Sequence, residues 1–205
     1  MRVDRPPPGE ELNPGPATEA REAASLILLR DGHAGPEVLL VKRNPAQRFM
    51  GGAWVFPGGA NHEEDPDHAA TAVRELEEEA GVRLGDSTPV PFSRWITPRQ
   101  VKVRFDTWFF VAEAPTGAEA QCDGAECVDL RWIRPAEALA AGERGELMLV
   151  FPTIKHLEQL AEFGSVADAL AAAAERVVEP IEPRVVARDG AGEVLLPGEP
   201  GYDDA

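Results

Sequence analysis

Apolar residues gather in short runs in some stretches of the chain and recur at helical spacing in others. ASLILLRDG (Ala24 to Gly32) and PEVLLVKR (Pro36 to Arg43) are compact apolar runs around a glycine-bearing connection, which predicts a pair of strands. AWVF (Ala53 to Phe56) predicts a third strand. It stops at PGG (Pro57 to Gly59), a turn signal that frees the backbone for unusual dihedrals and close approach by a ligand. From Asp67 to Ala80, the residues Ala69, Ala72, Val73, Leu76 and Ala80 return once per turn, and Gly81 stands where a helix C-terminus wants it, so a helix is predicted there. VPFSRWIT (Val90 to Thr97) and VKVRFDTWFFVAE (Val101 to Glu113) read as strands rich in aromatic and β-branched residues, joined by a tight PRQ connection. CVDLRWI (Cys127 to Ile133) alternates as a further strand. Helix signals follow at Pro135 to Ala141, Phe151 to Phe163 and Val166 to Glu175, and PRVVARDGAGEVLLPG (Pro183 to Gly198) predicts a hairpin about a DG turn.

Strands and helices are interspersed without the regular βαβ alternation of a doubly wound sheet, so the expected class is α/β with a mixed sheet and helices on its faces. The first 22 residues are rich in Pro, Gly and Glu and predict a flexible leader, residues 23–163 the main domain, and residues 164–205 a C-terminal helix and hairpin extension. A length of 205 residues suits one domain with an appended element. With 36 acidic against 20 basic side chains the formal charge is -16, which argues against nucleic acid and anionic membranes as partners. A phosphorylated small molecule would need local arginines or bound cations. No membrane helix or secretory signal is visible, and a cytoplasmic protein is expected. Cys122 and Cys127 are too few for a disulfide framework and are expected to be reduced thiols.

The acids of RELEEEAGV (Arg74 to Val82) can then be placed on the predicted helix. Glu75, Glu78 and Glu79 share one face at i, i+3 and i+4, beside the apolar face of Val73, Leu76 and Ala80, whereas Glu77 points elsewhere. Like charges at these spacings cost about 0.2–0.5 kcal/mol per pair in an isolated helix. Arg74 offsets one carboxylate; a divalent cation such as Mg²⁺ or Mn²⁺, which favours hard oxygen ligands, would offset the others.

The segment FPGGANHEEDPDHAATAVRELEEEAGV (Phe56 to Val82) resembles the Nudix box, G-x5-E-x7-R-E-U-x-E-E-x-G-U with U a bulky aliphatic. Arg74, Glu75, Leu76, Glu78, Glu79, Gly81 and Val82 match its second half position for position. The first half differs: five residues intervene between Gly59 and Asp65, which stands in place of a Glu, and eight residues separate Asp65 from Arg74, so either Glu64 or Asp65 takes the part of the first acid. That spacing is similar to the boxes of coenzyme A diphosphatases. The resemblance implies a Nudix-type α/β/α sandwich and a hydrolase of a nucleoside diphosphate linked to another group. It implies metal ligation by Glu78, Glu79 and the Gly59 carbonyl, with Glu75 a further ligand or the general base and Arg74 orienting a glutamate. Glu126, before CVDLRWI, falls where related enzymes place another acid for metal binding or base catalysis.

KRNPAQRFMGGAWVFPGG (Lys42 to Gly59) resembles in part the segment preceding the box in coenzyme A diphosphatases, with Arg43 and Arg48 at arginine positions and Gln47 where a Leu is expected. Together with RFDTWFF (Arg104 to Phe110) it is similar to the peroxisomal coenzyme A diphosphatase branch. Coenzyme A or acyl-coenzyme A is therefore the preferred substrate expectation; nucleoside triphosphates, nucleotide sugars or dinucleotides are the alternative. Arg43, Arg48, Arg99 and Arg104 are candidates for gripping phosphates, and Trp95 or Phe49 for stacking on a base. His68, without a partner at ligand spacing, is read as an exposed helix residue. A nucleotide-sensing Nudix module is the competing class, disfavoured by the presence of both Glu78 and Glu79. A homodimer is expected by base rate.

Overall fold

The computed structural model describes residues 2–3, 12–188 and 191–204. Its strands and helices are β1 (Arg2–Val3), β2 (Arg21–Gly32), β3 (Gly35–Arg43), β4 (Trp54–Val55), β5 (Gly58–Ala60), α1 (His68–Ala80), β6 (Val90–Ile96), β7 (Phe105–Glu113), β8 (Cys127–Ile133), α2 (Pro135–Glu143), α3 (Phe151–Leu160), α4 (Val166–Ala174), β9 (Pro180–Ile181), β10 (Arg184–Arg188) and β11 (Ala191–Leu195).

β2 organises the main sheet. Along one edge it pairs in parallel with β7; along the other it meets β5 antiparallel at Ala23 to Ser25 and then β3 antiparallel at Leu29 to Gly32. The order β4-β3-β2-β7-β6-β9, with β8 also on β3, is mixed, as expected. Its two faces explain why ASLILL is apolar without alternation. Leu26 and Leu28 pack with Ala72, Leu76 and Ala80 of α1, whereas Ile27 and Leu29 pack on the opposite side with Leu157 and Leu160 of α3 and Val166, Ala169 and Ala173 of α4. The result is the α/β/α sandwich.

Three expectations need correction. The strand predicted over Val101 to Glu113 starts only at Phe105: Thr97 closes a turn onto Phe105 (N–H to O 2.9 Å, and Phe105 N–H to Thr97 Oγ1 3.0 Å), so residues 97–104 form a loop. PGG, read as a turn, continues into β5, because residues 58–60 pair with β2. Cys122 and Cys127 are joined in a disulfide, not free: the loop between them turns back through Gly124 (φ 78°) and brings their Cα atoms to 5.2 Å.

Residues 12–20, in the segment expected to be a flexible leader, run beside the 97–104 loop: Leu12 bridges Val101, and the Asn13 N–H donates to the Gln100 carbonyl at 2.7 Å. Residues 4–11 of that segment lie outside the described residues. The C-terminal hairpin forms β10 and β11, and β1 adds to β11. Among the described residues no helix is long and apolar enough to cross a membrane.

Candidate active site

Local chemistry sets both ends of α1. The Asp67 side chain accepts the Ala70 N–H at 2.8 Å, and Gly81 takes the left-handed conformation (φ 66°) that returns its N–H to the Glu77 carbonyl. Between these caps the helical phase buries Glu75 and Glu79 with Leu76, and leaves the Glu78 side chain 57% exposed. Glu77 turns away and pairs at the surface with Arg83 at 2.7 Å. The three site glutamates thus share one side of the helix, in the phase the sequence predicts.

β5 presses its backbone against this side. Glu79 Oε2 accepts the Gly58 N–H at 3.0 Å, and a Cβ on Gly59 would run into the Glu75 carboxylate. Only glycine lets the strand approach so closely. Arg74 ties the rest together: it donates to Asp65 through Nε (3.1 Å) and Nη2 (2.9 Å), to the Ala60 carbonyl (3.1 Å), and through Nη1 to Glu75 and Glu78, both at 2.8 Å. Asp65, which also accepts from Thr71 Oγ1 and the His62 N–H, is therefore the first acid of the box; Glu64 is exposed.

Electrostatics follow from these positions. The Arg74 guanidinium, with the His62 N–H, holds Asp65 well below the usual carboxylate range. Burial pushes Glu75 up, against the opposing pull of Arg74. Burial likewise pushes Glu79 up to about 7, although the Gly58 N–H and Arg43, whose Nη1 lies 3.9 Å away, oppose it. The negative charges of Glu75 and Glu126 raise Glu79 further. Two buried carboxylates with raised pKa values beside a third are a donor set that a hard divalent cation would relieve. Among the described residues no three His, Cys, Asp or Glu side chains stand ready-made at ligand spacing; a guanidinium holds Glu75 and Glu78 where they are.

A cavity of about 550 Å³ opens on this face, and its lining includes Glu75, Glu78, Glu79, Gly59, Arg74 and Glu126. Glu126 sits on the loop before β8, where its backbone N–H is held by Asp123 and its carbonyl accepts the Asn44 N–H at 2.7 Å. The candidate arginines separate. Arg43 lines the cavity, steadied by Gln47 and the Phe49 carbonyl. Arg48 is exposed and off the lining. Arg104 is turned inward on the fold, donating to the carbonyls of Thr97 (3.0 Å) and Thr18 (2.6 Å) and to Glu182 (2.8 Å), and Arg99 shares Glu182. Neither Arg99 nor Arg104 reaches the lining.

Trp95 lines the cavity but is only 5% exposed, wedged edge-on between Phe151 and His156, so it has no open face for a base to stack on. Phe49 does reach the lining, tilted against Phe105 at 5.3 Å. His68 is half-buried against Trp108, not exposed as its helix position suggested. Sequence reading missed Arg21, which lines the cavity with its guanidinium over Phe105, and Asp123; no motif contains either.

Residues 19–150 match the family model described as the NUDIX domain. The chain belongs to the NUDIX domain family. Among solved structures, a NUDIX hydrolase from Alicyclobacillus acidocaldarius is 27% identical, with a TM-score of 0.66 over 75% of this chain and 96% of that one. The NUDIX domain of Shewanella oneidensis NrtR, in complex with ADP ribose, is 22% identical (TM-score 0.57; 71% and 88% covered), and a C. elegans Ap4A hydrolase is 17% identical (TM-score 0.56; 75% and 98% covered). These last two support the fold alone. Among curated proteins there is no significant match. The Nudix chain is a hydrolase of pyrophosphate bonds, and Nudix hydrolases generally use divalent metal ions.

Proposed function

We propose that this Nudix hydrolase cleaves the pyrophosphate bond of a nucleoside diphosphate linked to a second group, using Mg²⁺ or Mn²⁺ held by Glu75, Glu78, Glu79 and the Gly59 carbonyl. One observation carries the reading: three glutamates on one side of α1 face a single cavity, with the β5 backbone pressed against two of them. When bound, the cation neutralises phosphate oxygens and lowers the pKa of a water.

The chain's own residues supply the rest. Arg74, anchored on Asp65, orients Glu75 and Glu78. Glu75, buried and raised, is a further ligand or the base that takes the water's proton, and Glu126, whose charge acts on both Glu75 and Glu79, is the second candidate for that proton. Arg43 offers a guanidinium for a phosphate oxygen beside Glu79. ADP ribose, the ligand bound in the NrtR domain, is itself a nucleoside diphosphate linked to a second group.

Within that class the preferred substrate is coenzyme A or acyl-coenzyme A. The support is the box spacing through Asp65 and the place of Arg43 on the lining; Arg48, off the lining, adds none. The test is product release from coenzyme A, acyl-coenzyme A, ADP-ribose, NADH, nucleotide sugars and nucleoside triphosphates, each with Mg²⁺, Mn²⁺ or chelator. Metal-dependent formation of 3′,5′-ADP and 4′-phosphopantetheine is expected. Preference for another compound would overturn the coenzyme A assignment, and no cleavage with any metal would overturn the hydrolase reading.

A further inference from the structure

The cavity has a second end with different chemistry. Strands in a sheet lie about 4.8 Å apart, so β6, two steps from β2 in the order β2-β7-β6, stands about 10 Å from the strand with which β5 pairs and against which α1 packs. At this end the lining is mainly apolar, with Trp95, Val101, Phe105, Phe109 and Phe151, and Arg21 lies over the Phe105 ring. The C-terminal hairpin closes it. Val185 and Val194 are directly opposed in the β10 and β11 register, which puts their side chains on one face, and both line the cavity together with Pro183.

The hairpin is held in place from its base. Glu182 Oε1 accepts from Arg104 Nη2 at 2.8 Å and from Arg99 Nε at 3.1 Å, and its carbonyl accepts the Tyr202 hydroxyl at 2.7 Å. β9 joins the edge of β6 opposite Arg94 and Trp95. One polar group among these residues lacks a partner: Trp95 lines the cavity, and its buried Nε1 has no hydrogen-bond partner. A buried N–H without an acceptor costs free energy that a ligand acceptor would recover.

We propose that the C-terminal hairpin is the specificity wall of the active-site cavity. Val185 and Val194 pack against a neutral, largely apolar group of the substrate, and the Trp95 N–H donates to an acceptor on that group. A nucleobase and a thioester-bearing acyl chain share this chemistry. The inference rests on the nucleoside diphosphate reading, which assigns the phosphates to the glutamate end.

Two neutral probes, adenosine and S-octanoyl-pantetheine, separate the sources and avoid the glutamates. Each is titrated calorimetrically into the full chain in chelator, so binding does not depend on metal or turnover. At least one is expected to bind, with affinity at least tenfold weaker in Val185→Asp, severalfold weaker in Val185→Ala, about tenfold weaker in Trp95→Phe, and within twofold in Val185→Ile. Binding of adenosine alone would identify the group as a base, and of the thioester alone as an acyl chain. Binding of neither probe, or affinity unchanged in Val185→Ala and Trp95→Phe at unchanged Tm, would overturn the proposal. Absence of metal-dependent turnover while the probes still bind would instead overturn the hydrolase reading and leave the wall standing.

Discussion

Arg74 reaches Asp65 with two N–H groups at once, Nε to Oδ1 at 3.1 Å and Nη2 to Oδ2 at 2.9 Å. The extra residue in the box therefore does not disturb the active site; the loop ends with its acid on the arginine that steadies two of the site glutamates. Asp65→Ala should lower stability by about 2 kcal/mol, the scale of a lost charged hydrogen-bonded pair, and reduce kcat more than it raises KM. Glu64→Ala should do neither. Thermal unfolding and steady-state kinetics check both, and equal effects of the two variants would show that Asp65 has been misplaced.

Gly59→Ala places a methyl group against the Glu75 carboxylate. The carboxylate must move, and displacements of about 1 Å in an active site cost on the order of a hundredfold in rate. Turnover with Mg²⁺ should fall to that extent while the folded structure, followed by circular dichroism, persists. Full activity would mean that Glu75 tolerates displacement and is not the base.

Glu79 carries a pKa raised to about 7 against an ordinary 4.5. Because the folded state binds this proton more tightly than the unfolded state, the contribution stabilises the metal-free protein fully below pH 4.5 and is lost as pH rises through 7. Metal-free Tm should therefore fall between pH 5 and pH 8, by an amount corresponding to at most about 3 kcal/mol. Glu79→Gln should flatten that fall, and parallel curves for the two proteins would contradict the assignment.

The arginines supply a contrast. Arg43 lines the cavity beside Glu79, whereas Arg48 is exposed off the lining. Arg43→Ala should reduce kcat/KM at least tenfold, on the scale of a lost charged contact, and Arg48→Ala should stay within twofold. The reverse order would place the phosphates on the other side of the loop.

What the sequence reveals here follows from how local each signal is. α1 is legible because Asp67, Gly81 and the returns of Ala72, Leu76 and Ala80 all lie within its own span, so the phase of Glu75, Glu78 and Glu79 comes with it. β5 is not: Gly58 and Gly59 carry no side chain to pattern, and their pairing is with Ala24 and Ser25, more than thirty residues away. Arg104 has the chemistry to bind phosphate, but Thr18 and Glu182, 86 and 78 residues distant in the chain, engage it first. Trp95 shows the same limit, since only the assembled contacts with Phe151 and His156 tell a buried edge from a stacking face. The hairpin is signalled by the DG pair, Asp189 and Gly190, which itself lies outside the described residues, yet nothing local says that Val185 and Val194 meet the cavity.

The acid face of α1 is tested most directly by kcat/KM for the best-cleaved pyrophosphate substrate, measured at saturating Mn²⁺ in Glu78→Gln, Glu79→Gln and Glu77→Gln side by side. The first two should lose on the order of a hundredfold or more without a drop in Tm, and the third should stay within twofold of wild type. Wild-type activity in both Glu78→Gln and Glu79→Gln, or a large loss confined to Glu77→Gln, would contradict the assignment of this helix face as the metal site.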